Sequence, residues 1–263
     1  MVEIVEIVLA MGLLVLGSAP GSPADPTPAV GQACYIDGGR VIPQYTLGDK
    51  PVPVAPFRLA RYPVTNAQYL DFVLRHPEWR RSRVKRVFAE GRYLQHWNGD
   101  LSFDPDLANS PVVNVSWFAA RAYCLEQKGR LPTQDEWELA GQAGKSTRDG
   151  SQEEGYRRLI LDWYSRPTPP RQAPVGSTFE NYYGLYDMHG LVWEWVDDFN
   201  TILLTGDSRA DDNVDRELYC AAGVSGSTDP SDYAAYMRYG FRSSLKASYT
   251  TSNLGFRCAW DVP

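Results

Sequence analysis

The chain has 263 residues, 43% hydrophobic and 22% charged, with 26 Lys and Arg against 32 Asp and Glu for a net charge of −6. That composition excludes a disordered chain, and the length supports one large domain or two small ones around a sizeable core. The acidic balance excludes a nucleic-acid groove, which needs clustered Lys and Arg, and three scattered histidines (His76, His96, His189) form no motif of metal-ligand spacing.

Taken in chain order, the first feature is an apolar run from about Ile7 to Leu16, followed by small residues and a Pro/Ser/Ala stretch. It is shorter than the roughly 20 apolar residues that span a bilayer, and it fits the hydrophobic segment of a secretory signal. The expectation is a signal peptide over residues 1–24, a flexible linker over 25–33 and a single domain over 34–263. The protein is then periplasmic or secreted, with no stable membrane span after processing. Glu3 and Glu6 depart from the signal pattern, which wants Lys or Arg there, and a buried strand or helix is the alternative. Cys34, Cys124, Cys220 and Cys258 include no C-x-x-C pair. An even count permits two disulfides in an exported chain and buried thiols in a reducing one.

From Cys34 to Arg61, short apolar runs broken by Gly and Pro read as strands with tight turns. Thr65 reads as the N-cap of a helix to about Arg75, with Tyr69, Phe72 and Val73 on its apolar face. The basic run Arg75 to Arg86 reads as a solvated surface, or more sharply as an anion-binding lip. Ser116 caps a second helix through Trp117, Ala120, Tyr123 and Cys124, with Gly129 as its stop. Thr133 and Glu136 form a capping-box pattern opening a third helix, about Gln134 to Ala143. Lys145 to Pro174 is polar and Pro/Arg-rich, a long surface loop. The last third reads as strand and turn. In GLVWEW, Trp193 and Trp195 fall on one side of an extended segment as core anchors, and Glu194 faces the other way as a structural carboxylate. Arg257, alternating with Phe256, is expected in a buried ion pair. Short helices, short strands and long loops make an α+β domain with no internal repeat.

Five segments then occur in one order: YPVTNAQYLDFV (Tyr62 to Val73), PVVNVSWFAARAYC (Pro111 to Cys124), GRLPTQDEWELA (Gly129 to Ala140), GLYDMHGLVWEWV (Gly184 to Val196) and NLGFRCA (Asn253 to Ala259). Together they resemble the formylglycine-generating enzyme (sulfatase-modifying factor) family over roughly Cys34 to Trp260. The resemblance implies a C-type-lectin-like α+β fold and a disulfide between Cys124 and Cys258. Cys34 and Cys220 are left as a second bridge or a redox-active pair.

The resemblance also implies a reaction, and here the residues depart from it. Enzymes of this family oxidise a client cysteine with oxygen and a copper ion held by two cysteines. These lie just before an arginine fourteen residues N-terminal to the Phe of GFR. Counted back from Phe256, that arginine is Arg242, and the two cysteine positions fall near Asp229 and on Ala234. Cu(I) wants two thiolates, so copper is not expected; the one other candidate at the site is Cys220. The usual G-N-V-W-E-W has Leu191 in place of its asparagine, removing an oxygen ligand, so at most one weak calcium site is expected. No other metal site is expected.

The resemblance therefore points to a branch without the copper cysteines, similar to pyoverdine-maturation or nitrite-reductase accessory members. The expectation is an exported protein that matures a periplasmic protein or secondary metabolite by oxidation, its partner being that client protein or small molecule. Its candidate pocket comprises Trp195, Tyr233, Tyr236, Arg238 and Arg242, where aromatics stack and arginines hold a carboxylate. The alternative is a non-catalytic binding module on the same scaffold. In that reading the Ser/Gly/Tyr-rich segment Gly223 to Tyr239 is a recognition loop.

Overall fold

Hydroxyl side chains open the first three helices. Thr65 caps α1 (Asn66–Arg75) in a reciprocal box: its hydroxyl accepts the Gln68 amide and the Gln68 side chain accepts the Thr65 amide. Ser116 caps α2 (Trp117–Glu126) by accepting the amide of Ala119. Thr133 and Glu136 repeat the box at α3 (Gln134–Gly141). These ends are local bargains between a side chain and orphan amides, so they appear where the sequence places them. The third helix stops two residues before the expected Ala143.

The computed structural model describes residues 32–42, 51–199 and 230–262, without the side chains of residues 230–233 and 236. The segment read as a signal peptide lies outside these residues, as do most of the linker and Cys220. Strand β1 (Ala33–Ile36) pairs antiparallel with a later strand across a small hairpin, β2 (Gly39–Val41) with β3 (Val52–Val54). That later strand, β4 (Phe57–Ala60), is the centre of a three-stranded sheet. A second pair is parallel, β5 (Trp193–Glu194) with β6 (Leu254–Gly255). The last strand, β7 (Ala259–Asp261), closes the first sheet on the far side of β4, so the two ends of the domain share one sheet.

Against this sheet α1 and α2 bring an aromatic cluster. Tyr69 stacks on Tyr123 with centroids 5.9 Å apart, and Tyr123 meets Phe256 edge-on at 5.4 Å. Tyr69, Phe72 and Val73 are the buried face of α1, as their spacing requires. The Cys124–Cys258 disulfide ties α2 to the residue before β7 across 134 positions. In the chain-entropy model a loop of that length contributes about 5 kcal/mol. The fold is α+β, with short elements and long connections.

Three expectations are corrected. Gly129 is not the left-handed stop of α2; Lys128, at φ 57°, takes that conformation. Gly129 is there because a Cβ would stand 2.6 Å from the Ala259 carbonyl oxygen. The loop from Lys145 to Pro174 contains a helix, α4 (Tyr156–Tyr164). Tyr156, Ile160, Trp163 and Tyr164 give it an apolar stripe at helical spacing. The chain read as strand and turn in the last third contains α5 (Pro230–Ser243). Pro230 suits a first helical position, where a missing N–H costs nothing. Among the described residues no helix is long and apolar enough to cross a membrane.

Candidate functional site

Helix α5 turns one stripe inward: Ala234, Arg238 and Arg242, four residues apart, are 4%, 6% and 1% exposed. They meet Glu138 of α3, itself 4% exposed. Arg238 donates from Nε and Nη2 to Glu138, the shortest contact being 2.5 Å, and Arg242 donates from Nη1 at 3.0 Å. Both guanidinium groups lie over the ring of Trp137, 5.6 and 4.4 Å from its centroid. Burial pushes the Glu138 carboxyl up, but the two arginines, Arg238 foremost, outweigh it and hold the group below the ordinary carboxylate range. One carboxylate thus bonds two buried cations, Asp198 also interacts with Arg242, and among the described residues Arg242 Nε makes no hydrogen bond.

The other face of Trp137's neighbourhood holds a second ion pair. Glu194, on β5, accepts the Trp137 indole N–H at 2.7 Å and the Nε and Nη2 groups of Arg257 at 2.8 to 3.0 Å. Arg257 also donates to the carbonyls of Ala60, Arg61 and Tyr186. This is the buried pair that the alternation of Phe256 and Arg257 suggested.

Helix α4 lines two cavities, of which the smaller also borders α5. One, of about 430 Å³, is bordered by Arg238, Glu138, Ala234, Tyr156 and Arg157. The other, of about 1290 Å³, is bordered by Trp163, Tyr164, Trp193, Phe179 and His189. Tyr164 joins α4 to α5: its hydroxyl receives an N–H from Arg238 and donates to the Ala234 carbonyl, and its ring stacks on Trp193 at 5.1 Å. Trp193 also meets Trp163 at 5.4 Å and Phe241 at 4.5 Å, giving the larger cavity an aromatic wall. His189 donates from Nε2 to the Gly141 carbonyl at 2.7 Å, beside the Tyr156 hydroxyl. Burial, with Arg238 nearby, lowers its pKa to about 3, so the ring is neutral.

Of the five residues read as a pocket, Arg238 and Arg242 come together on Glu138. Trp195 does not join them: it is a core residue, fully buried, its indole N–H donating to the Val115 carbonyl. Tyr233 and Tyr236 lie on α5, but their side chains are outside the described residues, as is Cys220 entirely. Among the described residues Cys34 has no disulfide partner, and its thiol donates to the Gly184 carbonyl; the expected pairing with Cys220 lies outside them. Glu138 escaped the sequence reading. Its signal was a second glutamate beside Trp137 on the inward side of a capped helix, a charge where an apolar residue is the norm.

Among the described residues there is no pair of thiolates for a copper ion, Cys220 and position 229 lying outside them. At position 234 a methyl group on a buried helix face stands where a thiolate is needed. Nor does the G-L-V-W-E-W segment fit calcium. Leu191 is buried, and the Glu194 carboxylate is already taken by Arg257 and Trp137.

Comparison with known proteins gives a family match over residues 19–262, described as a sulfatase-modifying factor enzyme 1-like domain. The inactive C-alpha-formylglycine-generating enzyme 2 of Bos taurus is 27% identical over 256 residues, covering 79% of this chain and 78% of that protein. The serine/threonine-protein kinase pkn1 of Chlamydia caviae is 31% identical over 185 residues, 66% of this chain. The chain spans only 29% of that kinase's length. Among solved structures, CarF aligns with a TM-score of 0.49 at 18% identity, covering 88% of this chain and 98% of its own.

Proposed function

The chain belongs to the sulfatase-modifying factor enzyme 1-like family, and from that membership we propose that it is an exported protein acting in maturation of a client protein or metabolite by a route other than copper held by two cysteines. The observation that carries this reading is Ala234. It stands on the inward stripe of α5 with its carbonyl bonded to Tyr164, and Arg238, Glu138 and Arg242 fill the interior behind it. The aromatic wall of Trp163, Tyr164 and Trp193 offers the client a stacking surface. The Cys124–Cys258 disulfide supports export, since such bonds persist in oxidising compartments. Oxidation of the client, expected from the family resemblance, needs a redox centre other than a copper dithiolate.

A second reading, a non-catalytic accessory that binds the client and does no chemistry, is favoured by the similarity to a relative named as inactive. One experiment separates the readings. The purified protein is titrated with Cu(I) under anaerobic conditions, and oxygen uptake is then followed with a thiol peptide and with a catechol. Uptake without stoichiometric copper supports the leading reading, and no uptake supports the accessory one. Stoichiometric Cu(I) bound through thiolate overturns both.

A further inference from the structure

We propose that the cavity of about 430 Å³ over Arg238 binds an organic carboxylate. The inference rests on donors, charge and lining, and does not depend on the maturation reading.

A guanidinium has five N–H groups. Arg238 directs its Nε–H and one Nη2–H to Glu138 and one Nη1–H to the Tyr164 hydroxyl. One N–H on each terminal nitrogen is left over among the described contacts. Those two nitrogens are the ones with which arginine grips a carboxylate end-on. Because Arg238 borders the cavity, the ligand reaches this fork without breaking the contacts to Glu138.

Charge points the same way. Arg40, Arg157 and Arg238 border the cavity with Glu138 and Asp149, and Arg242 stands behind Glu138. Among the described residues that border the cavity the arginines exceed the carboxylates by one, while Asp198 interacts with Arg242 outside it, so the wall does not repel an incoming monoanion. The lining decides which anion. Ala234, Ile160 and Val41 present hydrocarbon, which suits an acyl or side-chain stem, and the two carboxylates in the wall repel a dianion such as phosphate. A monoanionic carboxylate with an apolar body meets both conditions, and the volume lies within the range of small-ligand sites.

The test is calorimetric titration with hexanoate and, as its neutral counterpart, hexanamide. The expected result is saturable binding of hexanoate at least about tenfold tighter than the amide. Ala234→Leu, which pushes a larger side chain into the cavity one helical turn from Arg238, removes that binding. Arg157→Gln, at the partly exposed rim and outside the core, weakens it by about threefold, so the proposal stays testable if the first variant does not fold. A peptide with a free C-terminal carboxylate, set against its amidated form, distinguishes a chain end from a free acid. Preference for the free-carboxylate peptide assigns the site to a chain end, and binding of hexanoate alone assigns it to a small acid. Equal affinity for acid and amide, no saturable binding of hexanoate, or unchanged affinity in Arg157→Gln overturns the proposal.

Discussion

Two buried ion clusters share Trp137, and they are built to opposite specifications. On the indole N–H side, Glu194 meets one arginine, and Arg257 uses all five of its N–H groups on Glu194 and the carbonyls of Ala60, Arg61 and Tyr186. On the ring-face side, Glu138 meets two arginines, Arg242 Nε makes no hydrogen bond among the described residues, and a cavity opens beside Arg238. A charge pair taken out of water is stable only when every donor and lone pair is answered. The first cluster meets that condition and joins β5 to the chain leading into β7. Among the described residues the second leaves the Arg242 Nε donor unanswered, which in a close-packed interior is the mark of a place prepared for something else.

The comparison can be broken by substitution. Arg257→Met strands Glu194 in a dry site, and the expected cost is about 5 kcal/mol or loss of the folded state, read by denaturant titration. Glu138→Gln also removes one partner from a buried cluster, but Arg238 borders a cavity that admits anions, so the cost is smaller, about 3 kcal/mol. In that variant hexanoate should restore part of the loss, and it should leave Arg257→Met unmoved. Equal costs without anion rescue would make the two clusters alike. Trp137→Phe keeps a ring face for the arginines but takes the indole N–H from Glu194; about 2 kcal/mol is expected, assigned by a double-mutant cycle with Glu194→Gln.

The last effect concerns pH. His189 has a folded pKa of about 3 against an ordinary 6.5, so the unfolded chain binds the proton more readily. Its contribution is therefore intact above pH 6.5 and is lost as pH falls from there toward 3, with a slope of up to about 1.4 kcal/mol per unit. His96, lowered by burial to about 4, acts in the same direction over 6.5 to 4. Thermal melts between pH 7 and pH 4.5 should slope less steeply in His189→Asn than in the unaltered protein. Identical slopes would mean that the ring is protonated in the fold, beside Arg238, and the charge count around Glu138 would need revision.

Legibility followed the range of the interactions. The capping residues Thr65, Ser116 and Thr133 answer amides within three positions, so the helix starts could be read directly. Helix α4 was passed over because its apolar stripe sits in a polar, arginine-rich stretch, where composition masks periodicity. Helix α5 was passed over because Ser, Gly and Tyr before and within it resemble a recognition loop. Trp195 looked like a pocket wall from its motif, yet it is fully buried with its indole N–H on the Val115 carbonyl, and it is Trp193, two residues before, that lines the larger cavity.

By itself the sequence determined the family, the capped helices, the ionic character of Arg257 and, through the family resemblance, the Cys124–Cys258 bond. Each of these is carried by a motif, or by the needs of a few neighbouring backbone groups. Only the tertiary structure decided that Arg238 and Arg242 share Glu138, 100 and 104 positions away, and that α4 lines two cavities, one of them bordered by Arg238. The identity of a buried charge's partner depends on which helix faces pack together. A residue pattern says which face is inward, while the docking of one helix against another says what it will find there.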